Sequence, residues 1–136
     1  MNSSRYATLV TNGADGQPQS RIIDPLIGSD HTIWIGTNPL TRKVEEIRRD
    51  SRVTLTFFNQ PLNEYVTVLA RAEIVSDQKT KTARWKKEWT PFYKEGPRGT
   101  DFMLIRVRPF RLEVSSPGRG MTNDPKTWKP VVVDLP

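Results

Sequence analysis

The feature that most constrains the fold is a succession of short segments in which apolar and polar side chains alternate. Alternation with a period of two is typical of strands that bury one face. The connecting stretches NGADGQP, GSDH and PLN carry the Gly, Pro, Asn and Asp residues that tight turns favour. The pattern therefore predicts strands joined by short turns, over residues 6–11, 19–27, 32–37, 52–60, 64–76 and 101–116.

Two of these strands contain a proline, which cannot donate a hydrogen bond to a neighbouring strand. The Asp24-Pro25 pair is predicted to interrupt the second strand, and Pro109 to bend the last strand or divide it in two. Because short polar turns join antiparallel neighbours, we expect the first three strands to form a meander.

Residues 39–50 change to a helical period. Asn38 is a candidate cap with Pro39 at the first helical position, and Thr41 is the alternative cap. The predicted apolar stripe of this helix consists of Leu40, Val44 and Ile47. The predicted ion pairs on its wetter sides are Arg42 with Glu46 and Glu45 with Arg49.

A second helix is predicted over residues 77–93, with Asp77 as its N-cap and Pro91 stopping or kinking it. Trp85 and Trp89 lie one turn apart, which is typical of a core-facing stripe. A basic helix with two tryptophans could instead bind single-stranded nucleic acid. We favour the core-facing stripe, because the basic residues of the helix are then its solvent-exposed face. These residues are Lys79, Lys81, Arg84, Lys86 and Lys87.

Six or seven strands with two short helices predict a mainly β (α+β) fold, a closed or split β-barrel that leaves few vulnerable edges. We expect a single domain over residues 1–136, with its core at about residues 6–117. Residues 118–136 are rich in Pro and Gly and are predicted to form an extended arm, with Val131 to Val133 docking on the body.

Composition narrows the possible chemistry. The chain has no cysteine and one histidine, His31, so we expect no disulfide, no thiol nucleophile and no metal site. It lacks an apolar run of about 20 residues and a signal-peptide pattern at its start, so we expect a cytoplasmic protein. The net charge of +6 favours anionic partners of some kind.

One corner of the sequence could bind such an anion. The stretch Thr37-Asn38-Pro39-Leu40-Thr41-Arg42-Lys43 places two hydroxyls and two cations at a predicted helix start. A helix N-terminus offers free N–H groups and the positive end of the helix dipole. Spacing alone leaves two interpretations open, an anion site or an ordinary helix cap followed by solvated cations.

Arg21 adds a third cation on the neighbouring strand, among apolar residues. An arginine in such surroundings needs an anion, a carboxylate or a route to water. If the second and third strands form a hairpin, Arg21 lies near Thr37, and three cations would converge on one corner. No residue pattern identifies a catalytic group.

The ordered segments ATLVTNGADGQPQSRIIDP, IWIGTNPLTRKVEEIRRDSRVTLTFF, EYVTVLARAEIVSD and DFMLIRVRPFRLEV resemble the pyridoxamine 5'-phosphate oxidase-like family. This is the FMN-binding split-barrel superfamily, and the likeness is strongest to its general-stress-protein branch. It covers roughly residues 6–117, most of the chain. Its most specific part is Thr-Asn followed by Thr-Arg-Lys, a helix and an Arg-Val-x-Leu strand.

The resemblance implies a six-stranded antiparallel split barrel that forms a homodimer, with FMN in clefts at the subunit interface. Ile22 and Ile23 would offer backbone groups to the isoalloxazine edge. The positions implied to bind the FMN phosphate are Arg21, Thr37, Thr41, Arg42 and Lys43.

The chain departs from the vitamin-processing oxidases at three places. It has Asp24-Pro25-Leu26 where those enzymes carry a lysine. Their carboxy-terminal substrate residues are not recognisable here, and only five residues precede Tyr6, where relatives carry a helix. We therefore do not predict oxidation of pyridoxamine phosphate.

The function expected from the residues and the resemblance together is a flavin-dependent oxidoreductase of unknown substrate. One alternative is a flavin- or haem-binding stress or sensor protein without turnover. A deazaflavin in place of FMN also stays open, and a basic β-barrel that binds nucleic acid is the least favoured reading.

Overall fold

The computed structural model describes residue 1 and residues 4–136. These residues form eight strands and two α-helices. The strands are β1 (Ala7–Asn12), β2 (Pro18–Ile23), β3 (Leu26–Ile27), β4 (Ile33–Thr37), β5 (Arg52–Asn59), β6 (Glu64–Val75), β7 (Met103–Ser115) and β8 (Val131–Asp134). The helices are α1 (Arg42–Arg49) and α2 (Gln78–Ala83).

All strand pairs are antiparallel and belong to one curled sheet, in the order β2-β1-β5-β6-β7-β4-β3. The first part of β7 pairs with β4 and its last part pairs with β8. The arm therefore pairs with the same strand as β4, further along the chain. Counting β2 and β3 as one interrupted strand, the body has the six predicted strands. The chain from Val131 to Asp134 docks as the arm was expected to do.

Pro25 and Pro109 both lie where the regular strand pairing is disturbed. The break between β2 and β3 falls at Asp24 and Pro25, as predicted. Pro109 lies at a β-bulge inside β7, which is one continuous strand. The predicted hairpin of the second and third strands is wrong for most of its length, because only Leu26 and Ile27 pair with β4. The rest of the second strand pairs with β1.

The inner face of the curl carries the main core. In β1, residues alternate between buried and partly buried, as a strand with one covered face requires. Helix α1 closes one side of this core through Val44 and Ile47. The fully or almost fully buried members of the core include Leu9, Ile35, Leu55, Val68, Ile105 and Val107.

Three expectations for α1 are wrong. Leu40 is 94% exposed, because the helix begins only at Arg42 and leaves Leu40 in the preceding turn. Glu46 is 2% exposed and not on a wet side, because it faces Thr11 of β1. Glu45 pairs with Arg48, one residue nearer than expected.

The second helix is shorter than predicted. Asp77 caps it by accepting a hydrogen bond from the Thr80 N–H, but the helix ends at Ala83. Trp85 and Trp89 still meet edge to face, 6.0 Å between ring centroids, with Trp89 in a separate 3₁₀ turn. Packing against the outer face of the sheet overrides the helical period here, since Trp89 reaches back to the break between β2 and β3.

The predicted basic face of that helix does not form. Lys81 is buried and donates to the carbonyl of Gly99, and Lys86 donates to Asp24. The shortened helix therefore presents no continuous row of cations of the kind a nucleic-acid helix would need. In the part of the chain that the structure describes, no helix is long and apolar enough to cross a membrane.

Candidate functional site

The corner between β4 and α1 has a specific turn structure. The Asn38 carboxamide oxygen accepts a hydrogen bond from the Leu40 N–H at 2.8 Å, which tightens the turn. Thr41 then occupies the N-cap position of α1. Its hydroxyl donates to the Asn38 carbonyl, so the Thr41 side chain makes no capping hydrogen bond to an N–H group of α1. The first N–H groups of α1 are thus available to a ligand.

Thr37 supports this corner from below. Its side chain is buried, at 1% exposure, and its hydroxyl lies 2.9 Å from the Thr41 hydroxyl. Both hydroxyls also lie within hydrogen-bond distance of the Asn38 carbonyl, at 3.4 Å from Thr37 and 2.9 Å from Thr41. Thr37 therefore holds Thr41 in position and is not open to the surface.

Arg21 reaches the same corner from β2. It lies opposite Leu9 of β1, so its side chain starts on the inner face of the sheet. One guanidinium nitrogen donates to the Thr11 hydroxyl at 2.7 Å, and another donates to the Glu46 carboxylate at 3.1 Å. Thr11 in turn donates to the same Glu46 oxygen at 3.0 Å. The sequence left open whether Arg21 meets an anion, a carboxylate or water, and the structure shows a carboxylate, that of Glu46.

Arg42 and Lys43 bring further positive charge to Glu46 and Arg21. The Arg42 Nε lies 3.6 Å from the same oxygen of Glu46. Burial lowers the pKa of Lys43, and the nearby charge of Arg21 lowers it further. Burial also lowers the pKa of Arg21, which Glu46 opposes and Arg42 reinforces. Arg21 and Arg42 thus share one buried carboxylate, Lys43 lies near enough to feel the charge of Arg21, and the corner carries an excess of positive charge.

A cleft of about 240 Å³ adjoins these cations. Ile22, Ile23 and Lys43 form one side of it. The chain after α2 contributes three aromatic residues to its lining, Trp89, Phe92 and Tyr93. All the predicted site residues therefore lie at the corner or along this cleft, although Ile22 is exposed and Ile23 is buried.

Asp24 fastens the aromatic side of the cleft to the sheet. Its carboxylate accepts from Lys86 at 2.6 Å and from Arg5 at 3.2 Å, and its carbonyl accepts from the Trp89 indole. Burial alone would raise the pKa of Asp24, but the hydrogen bonds and charges of Lys86 and Arg5 outweigh it and lower the pKa. The carboxylate stays ionised and holds the segment in place at neutral pH.

Two contributors to the site were missed by sequence reasoning. Glu46 was read as a surface partner, and Asp24 as part of the strand interruption and as a departure from relatives, without a role in the site. One signal could have indicated that Glu46 is buried, since it lies between Val44 and Ile47 of the predicted apolar stripe. Nothing in the sequence joins Asp24 to Lys86, 62 residues away.

A larger cleft, of about 430 Å³, lies at the end of the β5–β6 hairpin. None of the predicted site residues lines it. Its polar residues include Glu64, which accepts a hydrogen bond from the buried Ser116 hydroxyl at 2.6 Å. Size alone does not make this cleft the functional site, because the convergent cations lie at the other one.

The family model described as Pyridoxamine 5'-phosphate oxidase matches residues 1–115 of the chain. The resemblance found in the sequence segments is thereby confirmed. No curated protein sequence matches the chain.

Solved structures resemble the fold over nearly its whole length. A protein related to general stress protein 26 of Bacillus subtilis (pyridoxinephosphate oxidase family), from Clostridium acetobutylicum, superposes with a TM-score of 0.81 at 18% identity. The match covers 98% of this chain and 88% of that one. General stress protein 26 from Bacillus anthracis gives a TM-score of 0.76 at 18% identity, covering 97% and 90%. At these identities the likeness concerns the fold alone, and it confirms the split barrel.

Proposed function

Since the chain belongs to the pyridoxamine 5'-phosphate oxidase family, we propose that it binds FMN at the corner between β4 and α1 and works as a flavin-dependent oxidoreductase. The observation that carries this proposal is the excess of positive charge at the corner. Arg21 and Arg42 both contact Glu46, Lys43 lies close to Arg21, and the pKa of Arg21 and that of Lys43 are lowered. Such an arrangement is costly without an anion.

A phosphate monoester fits this donor set. It carries about two negative charges at neutral pH, which would balance the excess of cations over carboxylate. Arg42 offers a planar fork suited to two parallel bonds, Lys43 adds a compact charge, and the uncapped N–H groups of α1 add neutral donors. Arg21 would contribute charge from beneath, while Thr37 would hold Thr41 in place.

The cleft fits the ring system of the same cofactor. Ile22 and Ile23 of the edge strand β2 line the cleft together with the aromatic residues. A bound flavin supplies the capacity to accept and donate a hydride or single electrons. The chain's own residues would anchor the phosphate, orient the ring and limit the access of water. We assign no general acid or base.

The proposal includes a homodimer with the cofactor at the interface. Three large side chains at the mouth of the cleft are strongly exposed, namely Tyr6, Ile22 and Phe92, at 52%, 67% and 72%. A second copy of the chain covering the mouth would bury them and would shield the flavin from water. Sedimentation of the FMN-loaded protein tests this part separately from binding.

The first experiment is an absorption spectrum of the purified protein after incubation with FMN and desalting. Retained absorption at about 450 nm indicates bound flavin. Replacing Arg42 and Lys43 by alanine should weaken FMN binding at least about tenfold, because two charge-assisted contacts are lost. The matched control replaces Arg48 and Arg49 at the other end of α1 and should leave the affinity unchanged. Equal affinities of the parent and the Arg42/Lys43 variant would refute the clamp.

Turnover separates the oxidoreductase from the non-catalytic alternatives. Reduction of the bound flavin by NADH or NADPH, followed by reoxidation by an added acceptor over many cycles, supports the enzyme. Binding without turnover would support a flavin-binding stress or sensor protein. Competition with a deazaflavin phosphate and with haem identifies the preferred cofactor, since the cation cluster favours a phosphate-bearing ligand.

A further inference from the structure

Three arginines lie side by side on the outer face of the sheet. Arg52 of β5 is directly opposite Arg71 of β6, and Arg71 is directly opposite Arg108 of β7. All three are exposed. Residues directly opposite one another share a face of the sheet, so the three guanidinium groups project in the same direction. We refer to Arg52, Arg71 and Arg108 as the arginine row.

Like charges in direct opposition destabilise a sheet, and an ordinary solvated face does not require them to be aligned. Carboxylates offset only part of the charge. Arg52 makes two hydrogen bonds to Asp50. Arg108 lies 3.7 Å from Glu73, whose carboxylate is already bound by Arg106. Within residue 1 and residues 4–136, Arg71 takes part in no ion pair. The middle of the row is therefore short of an anion.

A groove of about 320 Å³ runs beside the row. Arg52 and Arg71 line it, together with the apolar side chains Val10 and Leu69. Phe110, which is 43% exposed, also lines the groove. None of the residues proposed to bind FMN lines this groove.

Phe110 reaches the groove because of the β-bulge. Leu69 pairs with Arg111 and Ala70 pairs with Pro109, so Phe110 is an extra residue without a partner on β6. Bulges redirect a side chain in this way and often lie near functional sites. The bulge thus sets an accessible aromatic ring in the groove that Arg71, which forms no ion pair among the described residues, also lines.

We propose that this groove binds a nucleoside phosphate. The phosphates would contact Arg71 and its neighbours in the row, since guanidinium forks bind phosphate oxygens in pairs. The base would stack on Phe110 over the apolar floor. The groove volume lies at the small end of the range for ligand sites, which fits a mononucleotide or one residue of a strand. This site is separate from the cation cluster at α1 and does not depend on it.

The test is fluorescence anisotropy with two probes, an N-methylanthraniloyl derivative of ADP and a labelled single-stranded oligonucleotide of about 12 nucleotides. All variants are built on the Arg42→Ala/Lys43→Ala background, so that the proposed FMN corner cannot hold the probe. The variants are Arg71→Ala, Phe110→Leu and, as a matched loss of one exposed charge, Arg98→Ala.

We expect Arg71→Ala to weaken probe binding by about tenfold or more, Phe110→Leu by about threefold or more, and Arg98→Ala by less than about twofold. Binding of the ADP probe points to a free nucleotide, and binding of the oligonucleotide alone points to a strand. Either result supports the nucleoside phosphate if both groove variants lose affinity.

Three results overturn the proposal. The first is that neither probe binds at concentrations of about 1 mM. Equal losses in Arg71→Ala and Arg98→Ala are the second, because they show that only net charge matters. The third is a change of sedimentation coefficient in Arg71→Ala, which would make the row an interface between copies. Failure of FMN binding leaves this test intact, since the groove is tested without FMN on the Arg42→Ala/Lys43→Ala background.

Discussion

Replacing Glu46 by glutamine should move the stability of the free protein and its affinity for FMN in opposite directions. The Glu46 side chain is 3% exposed and contacts Arg21 and Arg42 through one oxygen. Glutamine keeps the shape and the acceptor but removes the charge. Two contacts between ions become contacts of a guanidinium with a neutral amide oxygen, each weaker by about 1 kcal/mol, and Arg21 loses its counter-charge. Because Arg21 is 21% exposed, water offsets part of that loss.

These changes add to a destabilisation of about 2 kcal/mol, or about 5–10 °C in the Tm of a chain of this size. The effect on binding has the opposite sign. A carboxylate that repels the phosphate from about 7 Å away, at an effective dielectric constant of about 40, costs about 1.2 kcal/mol for each phosphate charge. Its removal should tighten FMN binding roughly five- to fiftyfold.

The assay is thermal unfolding with and without FMN, together with a fluorescence titration of the flavin. The control is Glu45→Gln on the same helix, whose side chain is 70% exposed. It should change neither quantity. Weaker FMN binding in Glu46→Gln would refute the reasoning, because it would show that the carboxylate is needed to position Arg21 and does not compete with the phosphate.

Three further changes test other parts of the structure. Asp24 has a pKa below its ordinary value of 3.8, so its stabilising contact with Lys86 is present above that pH and is lost as the pH falls through the lowered pKa. In Asp24→Asn, the free energy of unfolding measured by urea titration should therefore fall less steeply as the pH is lowered below about 5. Gly36→Ala should destabilise the fold by about 1–3 kcal/mol, since its Cβ would lie 3.0 Å from the Trp89 ring. Arg71→Thr should raise the Tm by about 1–3 °C in calorimetry, because it relieves repulsion between opposed arginines.

Much of the candidate site could be predicted because its residues carry local signals. Thr41, Arg42 and Lys43 follow a strand and begin a helix, and a helix N-terminus with cations is recognisable from sequence. The order of these motifs also identified the family. The partner of Arg21 could not be predicted, because Glu46 reaches it only when α1 packs on β1.

The sequence by itself determined the strands of the body, the start of α2 and the interruption near Pro25, and it left the start of α1 open between Asn38 and Thr41. These features depend on interactions within a few residues, namely side-chain alternation, caps and the missing N–H of proline. The identity of the residues also determined the charge available to bind an anion. Such signals hold whatever the rest of the chain does.

Only the tertiary structure decided which charges meet. The early end of α2 follows from the contact of Trp89 with Asp24, 65 residues away, and the arginine row exists only through the register of β5, β6 and β7. The buried position of Glu46 has the same origin. Register and packing are set by burial of apolar surface over the whole sheet, and that energy is spread over residues far apart in sequence.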